Sequence, residues 1–207
     1  MERSESVPNR ESGGIPTSNI GHRLGGSDPQ SDNTIKTLRK TIERVGEPEF
    51  KYWEFDVHES ADGILFVFHD DEIGSNGQIV PVKTLTFAEI HKCGEENEIS
   101  IPTLTEVVEE LKGRPEPTRI EIKNLMTDQA RLTIIDATRG RPDWKLMASL
   151  RRFQKSFPKK SRRHWHSQVK KAGTKLVRVR RHDIDLFHAS RTELHFFLSK
   201  MKWRFGY

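Results

Sequence analysis

YWEFDVHESADGILFVFHDD, residues 52–71, holds two apolar runs separated by a turn. In the first, Tyr52, Trp53, Phe55 and Val57 are interleaved with Glu54 and Asp56; in the second, Ile64 to Phe68 lead to His69 and Asp70. Aromatic and β-branched runs bounded by Ala61-Asp62-Gly63 read as two strands. Side chains alternate along a strand, so Glu54 and Asp56 share a face, about 7 Å apart along the backbone. Two carboxylates on one buried face repel each other and are costly to desolvate. A divalent cation removes both penalties, and an all-oxygen donor set favours a hard ion, Mg2+ or Ca2+. For an isolated Glu-x-Asp pair, the competing reading is a strand edge that meets solvent or basic side chains.

Upstream, residues 33–46, NTIKTLRKTIERVG, carry Ile35, Leu38, Ile42 and Val45 at helical spacing. Asn33 or Thr34 is placed to cap this helix and Gly46 to end it. Before it, residues 18–26, SNIGHRLGG, suggest a short strand that ends in a glycine-rich turn bearing His22 and Arg23. Downstream, helices are expected over residues 81–93 and 101–113, and strands over 118–125, 143–150 and 173–182. A terminal helix or strand is expected over residues 191–205. Strands alternating with helices imply βαβ units and an α/β fold. A (β/α)8 barrel needs roughly 200 to over 400 residues. With 207 residues, a barrel here is expected to be short or irregular in its second half.

Three further sites carry chemistry. Glu121 and Lys123 alternate with Ile120 and Ile122, so a second strand also turns two charges to one side. Glu121 is placed to complete a cation site and Lys123 to neutralise a phosphate oxygen, against the plainer alternative of a cross-strand salt bridge. His69 at a strand end suits proton transfer near neutral pH. Arg23 has the planar fork that pairs with phosphate. His164, His166, His182, His188 and His195 read as structural or surface residues.

Composition narrows the classes. Hydrophobic residues make up 33% and charged residues 31%, and there is one cysteine, Cys93. A disulfide framework and a cysteine-rich zinc site are therefore excluded. No run of about 18 apolar residues suggests a membrane span. Residues 1–18 read as a disordered polar tail and 19–207 as a single domain, with a cytoplasmic location expected. The net charge is +5, but residues 150–182 hold thirteen Lys and Arg and no Asp or Glu. Such a stretch suggests peripheral contact with an anionic membrane or, with Phe153, Phe157 and Trp165 interleaved, with nucleic acid.

Taken in order, His22-Arg23 before glycines, Asp32-Asn33-Thr34, Glu54-x-Asp56, Asp62-Gly63, His69-Asp70, Pro102-Thr103-Leu104 with Glu106, and Glu121-x-Lys123 resemble the glycerophosphodiester phosphodiesterase family. The resemblance covers about residues 20–124. It implies a TIM barrel that hydrolyses glycerophosphodiesters to glycerol 3-phosphate and an alcohol with one divalent cation, Mg2+ or Ca2+. It implies His22 and His69 as the acid–base pair. Glu54, Asp56 and Glu121 would be the metal ligands, and Arg23 and Lys123 the contacts to a small-molecule phosphodiester. Leu24 departs from the usual His-Arg-Gly and puts the placement of Arg23 at issue. Two other readings compete: a phospholipase D-like enzyme acting on sphingomyelin or lysophospholipid head groups, with Phe196, Phe197, Trp203, Phe205 and Tyr207 at a lipid interface, and a decayed barrel that binds anions or nucleic acid.

Overall fold

The computed structural model describes residues 19–75 and 77–179. The expected tail over residues 1–18 and the expected element over 191–205 lie outside the described residues, as do the terminal aromatics.

The two strands of the opening stretch form as β1 (Trp53–Glu59) and β2 (Leu65–Val67). They pair antiparallel, with His58 opposite Phe66. This adds an antiparallel strand to the parallel βαβ units expected of the chain. Ser60 to Ile64 is too short for a crossover, and a connection of this length joins only antiparallel neighbours. Gly63 takes φ +83° at the turn. His69 therefore follows a returning hairpin strand, not a parallel barrel strand. A second hairpin, β3 (Glu72–Ser75) and β4 (Gln78–Pro81), follows without a counterpart in the sequence reading.

The helices are α1 (Ile35–Ile42), α2 (Phe87–Glu96), α3 (Leu104–Glu110), α4 (Asp128–Asp136), α5 (Leu150–Ser156) and α6 (Arg162–Lys171). Their starts follow local chemistry. Thr34 caps α1 by accepting from Thr37 N, while Thr86 and Thr103 form reciprocal capping boxes with Glu89 and Glu106. The basic stretch over residues 150–171 becomes α5 and α6. Residues 19–21, the described part of the expected first strand, form no strand: they are irregular and lead into a 3-10 turn, His22–Gly25. That segment has too few apolar residues to cover a sheet position.

β5 (Thr118–Ile122), β6 (Trp144–Ser149) and β7 (Lys175–Val179) complete one sheet of order β2-β1-β5-β6-β7. β1, β5, β6 and β7 are mutually parallel. Among the described residues this is a partial barrel sheet with four parallel strands. One face of these strands carries Trp53, Phe55, Val57, Ile120, Ile122, Trp144, Leu146 and Ala148, all buried under the helices. Leu38, Val107, Ile134, Phe153 and Trp165 pack there from five helices. Burying large apolar side chains contributes about 1.5–3 kcal/mol each, and this layer is the main support of the fold. The opposite, inward face carries the charged residues. A smaller cluster of Phe66, Phe68, Ile73, Val82, Ile90, Cys93 and Ile101 seats the hairpins on α2. Among the described residues no helix is long and apolar enough to cross a membrane.

Candidate active site

Strand periodicity places Glu54 and Asp56 together on the inward face of β1, and both are almost fully buried. The parallel register sets Asp56 opposite Glu121 on β5. One carboxylate oxygen from each of Glu54, Asp56 and Glu121 lies within 4.8 Å of the others. Lys123, one alternation beyond Glu121, brings Nζ to 2.7 Å from Asp56 Oδ1 and 3.1 Å from Glu121 Oε2.

The 3-10 turn over residues 22–25 approaches from the other side. Arg23 donates its backbone N–H to Glu54 Oε2 at 3.0 Å. His22 Nε2 stands 3.7 Å from the same oxygen. The Arg23 guanidinium donates from Nη1 to Asp32 Oδ2 at 2.5 Å, and its Nη2 lies 2.8 Å from His69 Nε2. Arginine nitrogens only donate, so His69 Nε2 accepts and the ring proton sits on Nδ1. That Nδ1 lies 2.6 Å from Asp70 Oδ1.

All seven residues singled out from the sequence, His22, Arg23, Glu54, Asp56, His69, Glu121 and Lys123, thus lie in one contact network. Leu24 does not disturb it. Arg23 and Leu24 adopt φ of +49° and +58°, a region favoured by glycine, and the Leu24 side chain is fully buried in the main core. Core packing holds the turn in the conformation that glycine would otherwise permit. The glycines that follow answer to close approach: a Cβ on Gly26 would come within 2.3 Å of Asp32 Cα.

Two residues of the network, Asp32 and Asp70, were assigned no role from the sequence, and Asn33 was read only as an alternative helix cap. Asn33 is buried at φ +60°, donates from Nδ2 to Asp56 Oδ2 at 2.9 Å, and accepts from Asp56 N at 3.4 Å. The cap of α1 is Thr34, which leaves the amide of Asn33 free for Asp56. The adjacent Asn-Thr pair was the available signal, since one helix start needs only one cap.

Electrostatics divides the two strand carboxylates. Burial, with the nearby Asp56 charge, pushes Glu54 up to about 8. Burial also works against the Asp56 charge, but the Lys123 ammonium and the Lys123 and Asn33 hydrogen bonds hold Asp56 below the usual carboxylate range. Burial and the Arg23 charge lower His22. Burial opposes the Arg23 charge, yet the bond to Asp32 and the surrounding carboxylates raise its pKa. The cluster therefore holds more negative charge than Lys123 can neutralise. Three converging carboxylates with oxygen-only donors fit a hard divalent cation.

His164 and His166 are exposed on α6, as expected of surface residues, whereas His182, His188 and His195 lie outside the described residues. Phe153, Phe157 and Trp165 are buried in the core. The basis offered for base stacking by the 150–182 stretch is therefore corrected: helix packing turns these aromatics inward.

Comparison with known proteins places this geometry. Among curated proteins none matches the chain. A protein from Galdieria sulphuraria described as a glycerophosphodiester phosphodiesterase aligns with TM-score 0.55 and 16% identity, over 75% of this chain and 61% of its own. The glycerophosphoryl diester phosphodiesterase domain of a Mycobacterium tuberculosis protein gives TM-score 0.51 and 13% identity, over 77% and 58%. A glycerophosphodiester phosphodiesterase from Agrobacterium tumefaciens gives 0.49 and 24%, over 70% and 60%. This chain thus spans about three fifths of the length of those structures. At such identities the first two likenesses, with TM-scores above 0.5, speak for the α/β TIM-barrel fold alone. The model of the Glycerophosphoryl diester phosphodiesterase family matches residues 22–182, and it is to this family that the chain belongs.

Proposed function

We propose that the chain is a phosphodiesterase that hydrolyses glycerophosphodiesters to glycerol 3-phosphate and an alcohol, with His22 and His69 as the acid–base pair. The observation that carries this reading is the Asp70–His69–Arg23–Glu54 chain of contacts, which brings both histidines to the carboxylate cluster. Glu54, Asp56 and Glu121 would hold one divalent cation, Mg2+ or Ca2+. When bound, it supplies Lewis-acid charge to a phosphate oxygen.

The chain's own residues do the rest. Asp70 fixes the Nδ1–H tautomer of His69, which leaves Nε2 as its proton-transferring atom. One histidine takes the proton of the attacking hydroxyl or water, and the other returns a proton to the departing alkoxide. Arg23, oriented by Asp32, and Lys123, oriented by Asp56 and Glu121, stabilise the charge that builds on the phosphoryl oxygens. Asn33 holds Asp56 from the second side. A cytoplasmic location, supported by the single cysteine, belongs to the same proposal.

The test is release of glycerol 3-phosphate from glycerophosphocholine with Mg2+ or Ca2+, with chelator, and in the His69→Ala variant. Release that depends on the metal and is lost in the variant supports the reading. A folded protein that releases nothing from several glycerophosphodiesters overturns it.

A further inference from the structure

On and beside α1, α3 and α4, the exposed cations Arg39, Arg44, Lys112 and Arg139 are each ion-paired, with Glu110, Glu47, Glu109 and Asp136. On α5, α6 and the turn that joins them, the surface is built differently. Arg151, Lys155, Lys159, Lys160, Arg163 and Lys170 are all exposed, and none of their side chains has an ion pair or hydrogen bond among the described residues. Residues 150–182 contain no Asp or Glu that could supply one locally.

Helical geometry gathers these charges on one side. Arg151 and Lys155, four positions apart, project from α5 opposite the buried Phe153. Arg163 and Lys170, two turns apart, project from α6 opposite the buried Trp165. Lys159 and Lys160 stand in the turn between the helices. α5 packs on β6 and α6 on β7 of the same sheet, so the outward side of this layer is cationic along both helices. The layer also adjoins the candidate site. α5 starts at the C-terminal end of β6, and Arg152 in its first turn donates from Nη2 to Asp71 Oδ2 at 3.1 Å, two residues after His69.

We propose that the outward face of α5 and α6, with the turn between them, docks the protein on an anionic membrane surface. Charge complementarity carries the choice of an anionic partner: unpaired Lys and Arg side chains are drawn to anionic lipids within a Debye length, about 8 Å at physiological salt. Two observations favour a bilayer over nucleic acid. Phe153, Phe157 and Trp165 are at most 3% exposed, which closes this face to base stacking. Leu150, 37% exposed beside Arg151, adds an apolar side chain that a headgroup layer accommodates and a phosphate backbone does not. The choice of a membrane also rests in part on the phosphodiesterase reading. Glycerophosphodiesters are glycerophospholipids without their acyl chains, so a deacylation at a bilayer must supply them.

The test is binding of the full chain to vesicles, measured without turnover. The wild type binds equimolar phosphatidylcholine–phosphatidylglycerol vesicles and not pure phosphatidylcholine vesicles, and about 1 M salt releases it. The combined variant Lys159→Gln, Lys160→Gln, Arg163→Gln binds the anionic vesicles about 10²-fold more weakly, roughly fivefold for each cation removed. Lys36→Gln, Lys40→Gln, Lys92→Gln removes the same charge from elsewhere on the surface and changes binding far less. Should the first variant fail to fold, Arg151→Gln, Lys155→Gln, Lys170→Gln carries the same comparison. Failure of the wild type to bind anionic vesicles overturns the proposal, as does an equal loss in the control variant, which would assign binding to net charge. Binding to a duplex oligonucleotide in place of anionic vesicles overturns it in favour of nucleic acid. Failure on vesicles by a protein that hydrolyses glycerophosphodiesters leaves the phosphodiesterase reading intact. Patch-dependent vesicle binding by a protein that hydrolyses none upholds the docking face while that reading fails.

Discussion

The inward face of the sheet has two different halves. On β1 the inward residues Glu54, Asp56 and His58 are essentially sealed from water. Asp56 pairs in register with Glu121, Glu121 with Met147, and Met147 with Val177. Along this single row Asp56 is 1% exposed and Val177 is 40% exposed. Among the described residues no strand pairs with the outer edge of β7. The outward face differs far less, because helices cover it from β1 through β6. Every residue of the contact network described above therefore sits in the closed half, on β1, β5 and the loops beside them. The open half supplies support from behind and an uncovered inner wall in front. A site of this kind can be assembled before a barrel is closed, since its groups are positioned by neighbouring strands and two loops.

This contrast can be broken or sharpened experimentally. The largest effect is expected at the closed half's chemistry: His69→Ala should reduce diester hydrolysis by roughly 10²–10⁴-fold, read as initial rate at saturating metal. Phe55→Ala, behind the carboxylates, should cost about 3–5 kcal/mol in denaturant unfolding. A value near zero there would show that the outward layer does not support the fold.

The next expectation concerns pH. Burial lowers the folded-state pKa of His58 from 6.5 to about 4. Above pH 6.5 the group is neutral in both states and contributes nothing to the slope. Between 6.5 and 4 the unfolded chain binds the proton first, so stability falls as pH drops through that window, by on the order of 3 kcal/mol in all. The measurement is unfolding of wild type against His58→Phe, with chelator present. The difference isolates His58 from the opposite trend set by Glu54, whose pKa is raised.

Asn33→Ala should weaken divalent-cation binding or activity by about 10–100-fold, because Asp56 loses the amide that orients it. A calorimetric titration would read the affinity directly. Val177→Ala should change stability by no more than about 0.5 kcal/mol, as befits an uncovered position. A cost of several kcal/mol there would mean that the inner face of β7 is covered in solution, and the contrast between the halves would fail.

The legible part of the molecule followed from local rules. Glu54 and Asp56 could be assigned one face because a strand alternates strictly, and Glu121 and Lys123 for the same reason. The helix starts at Thr86 and Thr103 were marked by Glu three residues on. Parity also explains a carboxylate the sequence reading passed over. Glu59 falls on the outward face of β1, where it accepts from the backbone of Met126 and Thr127 and from Thr127 Oγ1 at 2.6 Å, ahead of α4. The β3–β4 hairpin was harder to see. Its sequence, EIGSNGQIVP, alternates weakly, and its burial depends on α2. The contacts of Asn33, Asp70 and Arg152 were hidden for another reason: each depends on a partner whose distance and direction no local pattern encodes.

By itself the sequence determined which residues alternate, where helices begin, and which side chains carry charge suited to a phosphodiester. These follow from bonds and spacings within a few residues. The tertiary structure decided that the second strand returns antiparallel, that Leu24 is held in the left-handed region by core packing, and that Arg23 reaches His69 across 46 residues of chain. It also decided that Arg152 meets Asp71 across 81. Such contacts form only when separate elements are brought together by burial of the outward layer, a cooperative event that belongs to the whole sheet rather than to any segment.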